Sequence, residues 1–307
     1  MTIIQLEYLL AVANCGNFSK ASEICFVTQP SLSMQIKNLE EELGVVLLDR
    51  SKKPVVPTQV GALVIEKAKE ALLAYNNVRE CVAELKGSIA GKLRLGVIPT
   101  IAPYLLPQFL HTFGEKYPKV DLEIREMITP DIVKAMDSDE LDAALLAGGT
   151  CPDRITEQEL FDDRFYAYVS PENPLSARTN LRIEDIYSKD LILLAEGHCL
   201  RDQVIELCGS HRLHELPYTL RSGSLETVMR IVDATDMLTI IPEMALPYIP
   251  DNLRSRVKTL AKGAASRKIV VGVRRTYAKE TIITALRDTI MECVKKRPAQ
   301  PAWNKFM

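Results

Sequence analysis

Ser19-Lys-Ala-Ser-Glu-Ile-Cys-Phe-Val-Thr28-Gln-Pro-Ser-Leu-Ser-Met-Gln-Ile-Lys-Asn-Leu-Glu40 is the stretch on which the reading of this chain turns. Ala21, Ile24 and Cys25 recur at helical spacing, with Ser19 as the expected N-cap. After the short connection Phe26-Val27-Thr28, Pro30 suits the first turn of a new helix. That helix turns Leu32, Ile36, Leu39 and Leu43 inward and stops at Gly44. Two short helices joined tightly, the second polar on its outer face, predict a helix-turn-helix.

Before this pair, Leu6, Leu9, Leu10 and Ala13 predict another helix, broken at Asn14–Gly16. After it, Val45–Leu48 and Pro54–Val56, on either side of Arg50–Lys53, predict a two-stranded wing. From Thr58 to about Leu85 the residues Val64, Ala68, Ala71, Tyr75, Val78, Val82 and Leu85 step by alternating fours and threes. Such a heptad seam predicts one long helix that meets a partner helix. From Gly91 onward, strand and helix patterns alternate. Strands are expected at Lys92–Ile98, Val120–Met127, Leu141–Leu146, Phe165–Val169, Leu191–Leu194, Tyr218–Arg221, Leu238–Ile241 and Ile269–Val273. Helices are expected near Pro103–Tyr117, Thr129–Asp137 and Leu225–Ala234, and from Glu280. Apolar runs between amphipathic helices suit a parallel α/β sheet covered on both faces, in two lobes with a ligand cleft beyond the strand ends.

Composition sets the outer bounds. The chain has 307 residues, 47% hydrophobic and 25% charged, enough to bury roughly three-quarters of its unfolded surface. Disordered, collagenous and purely coiled-coil classes are excluded. No run approaches the ~20 apolar residues of a membrane span. Met1–Leu10 lacks a basic leader, so a cytoplasmic protein without membrane association is expected. No phosphate-binding glycine loop, HExxH or GxSxG motif occurs, and neither a cofactor nor a bound metal is expected. Seven cysteines (15, 25, 81, 151, 199, 208 and 293) form an odd set, which argues against a disulfide framework.

The net charge of −2 by itself argues against nucleic acid. Position reverses that inference, because Glu40, Glu41 and Glu42 gather at the far end of the third helix while its start is polar and uncharged. A recognition helix presents its N-terminal residues to base edges, and glutamine can pair bidentately with adenine. Gln29 and Gln35 are therefore expected near bases, with Ser31, Ser33, Arg50, Lys53 and Thr58 on phosphates.

Ser19-Lys-Ala-Ser22, Thr28-Gln-Pro-Ser-Leu-Ser33, Ile36, Leu39-Glu40, Leu43-Gly44, Leu47-Leu48 and Arg50 together resemble the winged helix-turn-helix of LysR-type transcriptional regulators. The resemblance covers essentially the whole chain. It implies an α+β multidomain protein: a winged helix-turn-helix DNA-binding domain at 1–57, a linker and dimerisation helix at 58–89, and a two-lobed α/β effector domain at 90–307, similar to periplasmic binding proteins. Lobe I would take about 90–162 and 267–307, and lobe II about 163–266. It further implies no enzymatic activity, a homodimer or homotetramer on double-stranded operator DNA, and RNA polymerase as a further partner.

A narrower likeness rests on Gly96-Val-Ile-Pro-Thr-Ile-Ala-Pro-Tyr-Leu-Leu-Pro107 and on Gly197-His-Cys-Leu-Arg-Asp-Gln203 followed by Cys208. These are similar to a hydrogen-peroxide-sensing branch of the family. That likeness implies oxidation of Cys199, a disulfide to Cys208, peroxide held by Thr100, Thr129, His198, Asp202 and Arg267, and a cellular thiol reductant to reset the pair. If Leu200–Leu207 is helical, the two cysteines stand ~13 Å apart, beyond the roughly 7 Å that a disulfide spans, so oxidation must unwind the segment. A thiolate at Cys199 would be favoured by the helix N-terminus, with Arg201 and His198 as local cations. The other five cysteines are expected to be packing residues. Two alternatives stand beside this reading. One is a regulator answering a small-molecule effector; the other is a metal-binding regulator using His198, Cys199, Cys208, His211 and His214.

Overall fold

The computed structural model describes the chain except residues 86–88, 187–189, 208–221, 262–265, 275–278 and 297–307, and the side chains of 73, 76, 77 and 79–85. The chain folds into two compact units, one of Met1–Ser88 with Thr276–Glu280 and one of Ile89–Arg275 with Thr281–Met307.

In the first unit, α1 (Ile3–Cys15) begins with a capping box in which Thr2 and Gln5 exchange side-chain-to-backbone hydrogen bonds. It ends at Gly16, whose left-handed backbone (φ 59°) closes the cap. Asn17, rather than the expected Ser19, caps α2 (Phe18–Ile24): its side chain accepts from the Ser19 and Lys20 amides and frees the Ser19 hydroxyl for another partner. Thr28 caps α3 (Gln29–Leu43), which has Pro30 in its first turn and stops at Gly44. Leu9, Val12, Ala21, Leu32, Ile36 and Leu39 close the core between these helices.

The wing is shorter than expected and shifted: β1 (Leu48–Asp49) pairs antiparallel with β2 (Val56–Pro57). The amides of Leu47 and Leu48 both donate to Glu40, at 2.8 and 3.2 Å, which tethers the wing to the end of α3. α4 (Gln59–Leu85) follows. Its Ile65 and Ala68 are buried in the same core, and a Cβ at Gly61 would lie 1.9 Å from the Leu47 carbonyl oxygen, so only glycine lets helix and wing meet. Further along the seam, Tyr75 and Val78 are exposed on the isolated chain.

The second unit is built on strands β3 (Gly91–Val97), β4 (Val120–Glu126), β5 (Ala143–Ala147), β6 (Ile155–Val169), β7 (Asn180–Leu181), β8 (Leu238–Pro242), β9 (Val257–Leu260) and β10 (Ser266–Arg274). Its helices are α5 (Ala102–Lys116), α6 (Thr129–Asp137), α7 (Ile183–Ile186), α8 (Cys199–Leu207), α9 (Leu225–Asp233) and α10 (Glu280–Lys295). The sheet is mixed, not parallel throughout. β4, β3 and β5 run parallel, as their intervening helices require, but β10 lies antiparallel between β5 and β6.

β6 joins the two lobes. Ile155–Arg164 pair with β10, and Phe165–Val169 pair with β8, with β9 beside residues 166–168. The sequence had pointed only to the apolar second half of this strand. Its first half, Ile-Thr-Glu-Gln-Glu-Leu-Phe-Asp-Asp-Arg from 155 to 164, has only Ile155, Leu160 and Phe161 apolar and the rest polar or charged. Leu191–Leu194 is not a strand; one parallel bridge, Leu191 to Leu238, is all that forms there. The expected strand Tyr218–Arg221 lies outside the described residues. No helix among the described residues is long and apolar enough to cross a membrane.

Candidate functional site

Cys199 opens α8, and its side chain is buried. Gly197 makes the approach possible: its backbone is left-handed (φ 88°), and a Cβ there would come within 2.8 Å of Ile128. The next residue, His198, gives its carbonyl to the Arg201 amide at 2.9 Å and packs its buried imidazole against Gly223.

Below the cysteine lies an ion pair with neither side chain exposed. Arg267 on β10 is the direct cross-strand partner of Asp163 on β6; its Nε donates to Asp163 Oδ2 at 3.0 Å, and its Nη2 lies 3.0 Å from the same oxygen in the ion pair. The Met244 amide holds the other carboxylate oxygen at 3.1 Å. Arg267 Nη1 donates to the Thr100 hydroxyl at 2.8 Å and Nη2 to the Thr100 carbonyl at 3.2 Å. Thr100 therefore orients the guanidinium and does not cap α5, whose N-cap is Ile101. Thr129, the first residue of α6, has a buried hydroxyl with no well-formed hydrogen-bond partner among the described residues. It faces the Cys199 thiol closely enough to favour its thiolate.

Burial nevertheless dominates and pushes the Cys199 thiol above its ordinary pKa. The Arg267 charge, the Thr129 hydroxyl and the Leu200 amide pull it down, and Asp202 adds a small push upward. This corrects two expectations. Arg201 turns away to Asp202 and Glu196, at 3.5 and 3.9 Å, and the cation acting on the thiol is Arg267 from a strand far off in sequence. Burial lowers the pKa of His198 against the pull of Asp202, so its imidazole is neutral near pH 7 and supplies no charge. Asp202 has its side chain 66% exposed and lies outside the buried group around Cys199. Thr100, Thr129, His198, Cys199 and Arg267 come together; Asp202 does not. Cys208, His211 and His214 fall outside the described residues, and no cluster able to hold a metal occurs among the described ones. Asp163 was missed by sequence reasoning, because it sits in the charged run Asp162-Asp163-Arg164, which reads as a solvent-facing edge.

Beside this pocket is a cavity of about 480 Å³ lined by Pro99, Tyr104, Glu126, Ile128, Asp131, His198, Ser224 and Glu226, among others. Of the remaining described cysteines, 15, 25, 151 and 293 are half-buried and free.

In the first unit, the helix-turn-helix residues are already engaged. Gln29 is exposed at the start of α3 and accepts from the Ser19 hydroxyl at 3.0 Å. Gln35 is half-buried and its Oε1 accepts from Gln5 at 3.2 Å, which leaves its amide nitrogen as the group free to turn outward and works against a bidentate adenine contact. Arg50 donates to Ser33 at 3.3 Å, pairs with Glu40 at 2.9 Å and lies over the Phe18 ring at 5.0 Å. Thr58 caps α4 by accepting from the Gly61 amide while donating to the Val46 carbonyl. Ser31 and Lys53 are exposed.

Residues 3–62 match the family model described as bacterial regulatory helix-turn-helix protein, lysR family, and residues 86–293 match the LysR substrate binding domain. The hydrogen peroxide-inducible genes activator of Dickeya chrysanthemi is 36% identical over 247 residues, 80% of this chain and 81% of the relative. The DNA-binding transcriptional dual regulator OxyR of Escherichia coli (strain K12) is 34% identical over 257 residues, 84% of this chain and 83% of that one. A full-length OxyR variant from Pseudomonas aeruginosa superposes with a TM-score of 0.79 at 31% identity, covering 97% of this chain and all of that one. A hydrogen peroxide-bound OxyR mutant from Corynebacterium glutamicum gives 0.62 at 28% identity, covering 96% and 93%. With both halves matched, the chain belongs to the LysR family of regulators.

Proposed function

We propose that this chain is a DNA-binding transcriptional regulator that senses hydrogen peroxide through Cys199. The observation that carries the reading is the buried group around that thiol: one cation, Arg267, locked by Asp163 and Thr100, and one buried hydroxyl, Thr129, turned to the thiol. A peroxide molecule is small, neutral and rich in hydrogen-bonding groups, and the Thr129 hydroxyl offers it a partner right beside the thiol. The peroxide-related names of the relatives support the same reading.

In the reaction, the Cys199 thiolate attacks one peroxide oxygen and the O–O bond breaks. The departing hydroxide takes a proton to leave as water, and Cys199 becomes a sulfenic acid. The Cys208 thiol then displaces the hydroxyl as a second water and closes a disulfide, so two thiols together give two electrons to one peroxide. α8 stands in the way of that second step. It is wound from Cys199 to Leu207, a span of ~12 Å, while one further residue adds at most 3.8 Å of return. A disulfide's roughly 7 Å reach is not met until the helix unwinds. Oxidation is thereby coupled to a conformational change, the two-state element that a regulator needs. A cellular thiol reductant reverses it.

The same proposal takes residues 1–57 as the DNA-binding head, 58–89 as the dimerisation helix and 90–307 as the effector domain. Two heads joined through α4 would sit on a roughly palindromic operator, with RNA polymerase as the partner at the promoter. Gln29 and Ser31 are the residues best placed for base and phosphate contact, because both are exposed at the start of α3. Peptide mass spectrometry after stoichiometric peroxide tests the sensor. A 199–208 disulfide should appear ahead of any other cysteine product, and indiscriminate oxidation refutes it.

A further inference from the structure

Three residues of the Cys199 pocket have their chain neighbours on the wall of the adjoining cavity: Pro99 precedes Thr100, Ile128 precedes Thr129, and His198 precedes Cys199. The cavity therefore adjoins the Cys199 pocket. Its charged lining is of one sign. Glu126, Asp131 and Glu226 are exposed on it, no lysine or arginine lines it among the described residues, and His198 is held neutral. None of the three carboxylates is in an ion pair among the described residues. Glu226 accepts a hydrogen bond from the Tyr104 hydroxyl at 3.2 Å, which fixes its position and leaves its charge unneutralised.

We propose that this cavity is the route by which oxidants reach Cys199, and that Glu126, Asp131 and Glu226 form an electrostatic filter there that selects neutral oxidants and repels anionic ones. The filter deepens the peroxide reading and rests on it. Like charges lining a concave surface with low-dielectric walls lower the local concentration of anions, and the effect weakens as salt rises. Hydrogen peroxide carries no charge and passes. Peroxymonosulfate, a small anion, performs the same oxygen transfer: the thiolate takes its terminal oxygen, the O–O bond breaks, sulfate leaves, and Cys199 becomes a sulfenic acid.

The test follows the loss of the Cys199 thiol by peptide mass spectrometry in the full chain, with either oxidant, in the wild type and in E126Q/D131N/E226Q. Glutamine at 226 keeps an acceptor for Tyr104. Neutralisation should raise the peroxymonosulfate rate roughly fivefold at low salt and leave the hydrogen peroxide rate within twofold. In the wild type alone, added salt should raise the peroxymonosulfate rate and leave the peroxide rate unmoved, a readout independent of whether the variant folds. A peroxymonosulfate rate insensitive both to the substitutions and to salt overturns the filter, as does a variant in which the two rates move together. A wild-type Cys199 inert to hydrogen peroxide overturns the sensor reading instead, and the filter is then judged on peroxymonosulfate alone.

Discussion

Asp163→Asn isolates the part of the Cys199 pocket that the fold holds most firmly. Asp163 and Arg267 are fully enclosed, 3.0 Å apart, and paired directly across β6 and β10. Asparagine keeps the shape and one acceptor oxygen, which can serve Arg267 Nε or the Met244 amide but not both. Breaking a buried pair costs 3–5 kcal/mol, and a residue that keeps one acceptor belongs at the lower end, about 3 kcal/mol. For a unit of this size, that corresponds to a fall of ~6–12 °C in melting temperature. The thiol responds in the opposite sense. With Asp163 neutral, the Arg267 charge is uncompensated and favours the Cys199 thiolate, so the thiol pKa falls towards its ordinary value. The assays are differential scanning calorimetry for the melting temperature and the pH dependence of Cys199 alkylation for the thiol. A variant that melts like the wild type would show that the pair contributes little. A thiol pKa that is unchanged or higher would remove Arg267 as the cation acting on Cys199.

Three further outcomes are expected. Gly197→Ala forces a Cβ to within 2.8 Å of Ile128 on a left-handed backbone, and should lower stability by about 1–3 kcal/mol in urea titration and disturb the start of α8. Glu40→Gln weakens the hold on the Leu47 and Leu48 amides and the ion pair to Arg50; operator affinity in a gel-shift titration should fall, as it should for Gln29→Ala. Burial beside Glu157 pushes the half-buried Cys151 thiol up from 9.0 to about 11. Stability tied to that group is complete below pH 9 and lost as pH climbs through 11. Cys151→Ala should flatten that limb of the unfolding free energy against pH.

The fold was legible wherever local pattern and final packing agree. The spacing of Leu32, Ile36 and Leu39 gave α3, and the runs at β3, β5 and β8 gave strands, because those side chains are buried as their period requires. β6 was half-hidden: its first half is flanked by charged residues whose partners come from β10, about a hundred positions later. The same distance concealed Asp163 and the role of Arg267 as the cation for Cys199, the family likeness having named Arg267 only for peroxide. Sequence proximity nominated Arg201, whereas tertiary pairing supplies Arg267. Cys199, Thr100, Thr129 and His198 were visible only through the family's motifs, since composition and periodicity single out none of them.

β6 carries a mechanical consequence. One uninterrupted strand belongs to the sheets of both lobes, and Asp163 lies two residues before Phe165, where its pairing passes from β10 to β8. The joint between the lobes is thus a hydrogen-bonded ribbon that resists bending and yields to twist, with the Arg267 ion pair as its pin. Under the proposed mechanism, a refolding event at Cys199 would act next to that pin, whose Arg267 charge already reaches the thiol, so a small displacement there would be carried along the shared strand to both lobes. A sensor of that kind, set beside the strand the lobes share, would need only a two-electron event to move a surface far larger than the molecule it detects.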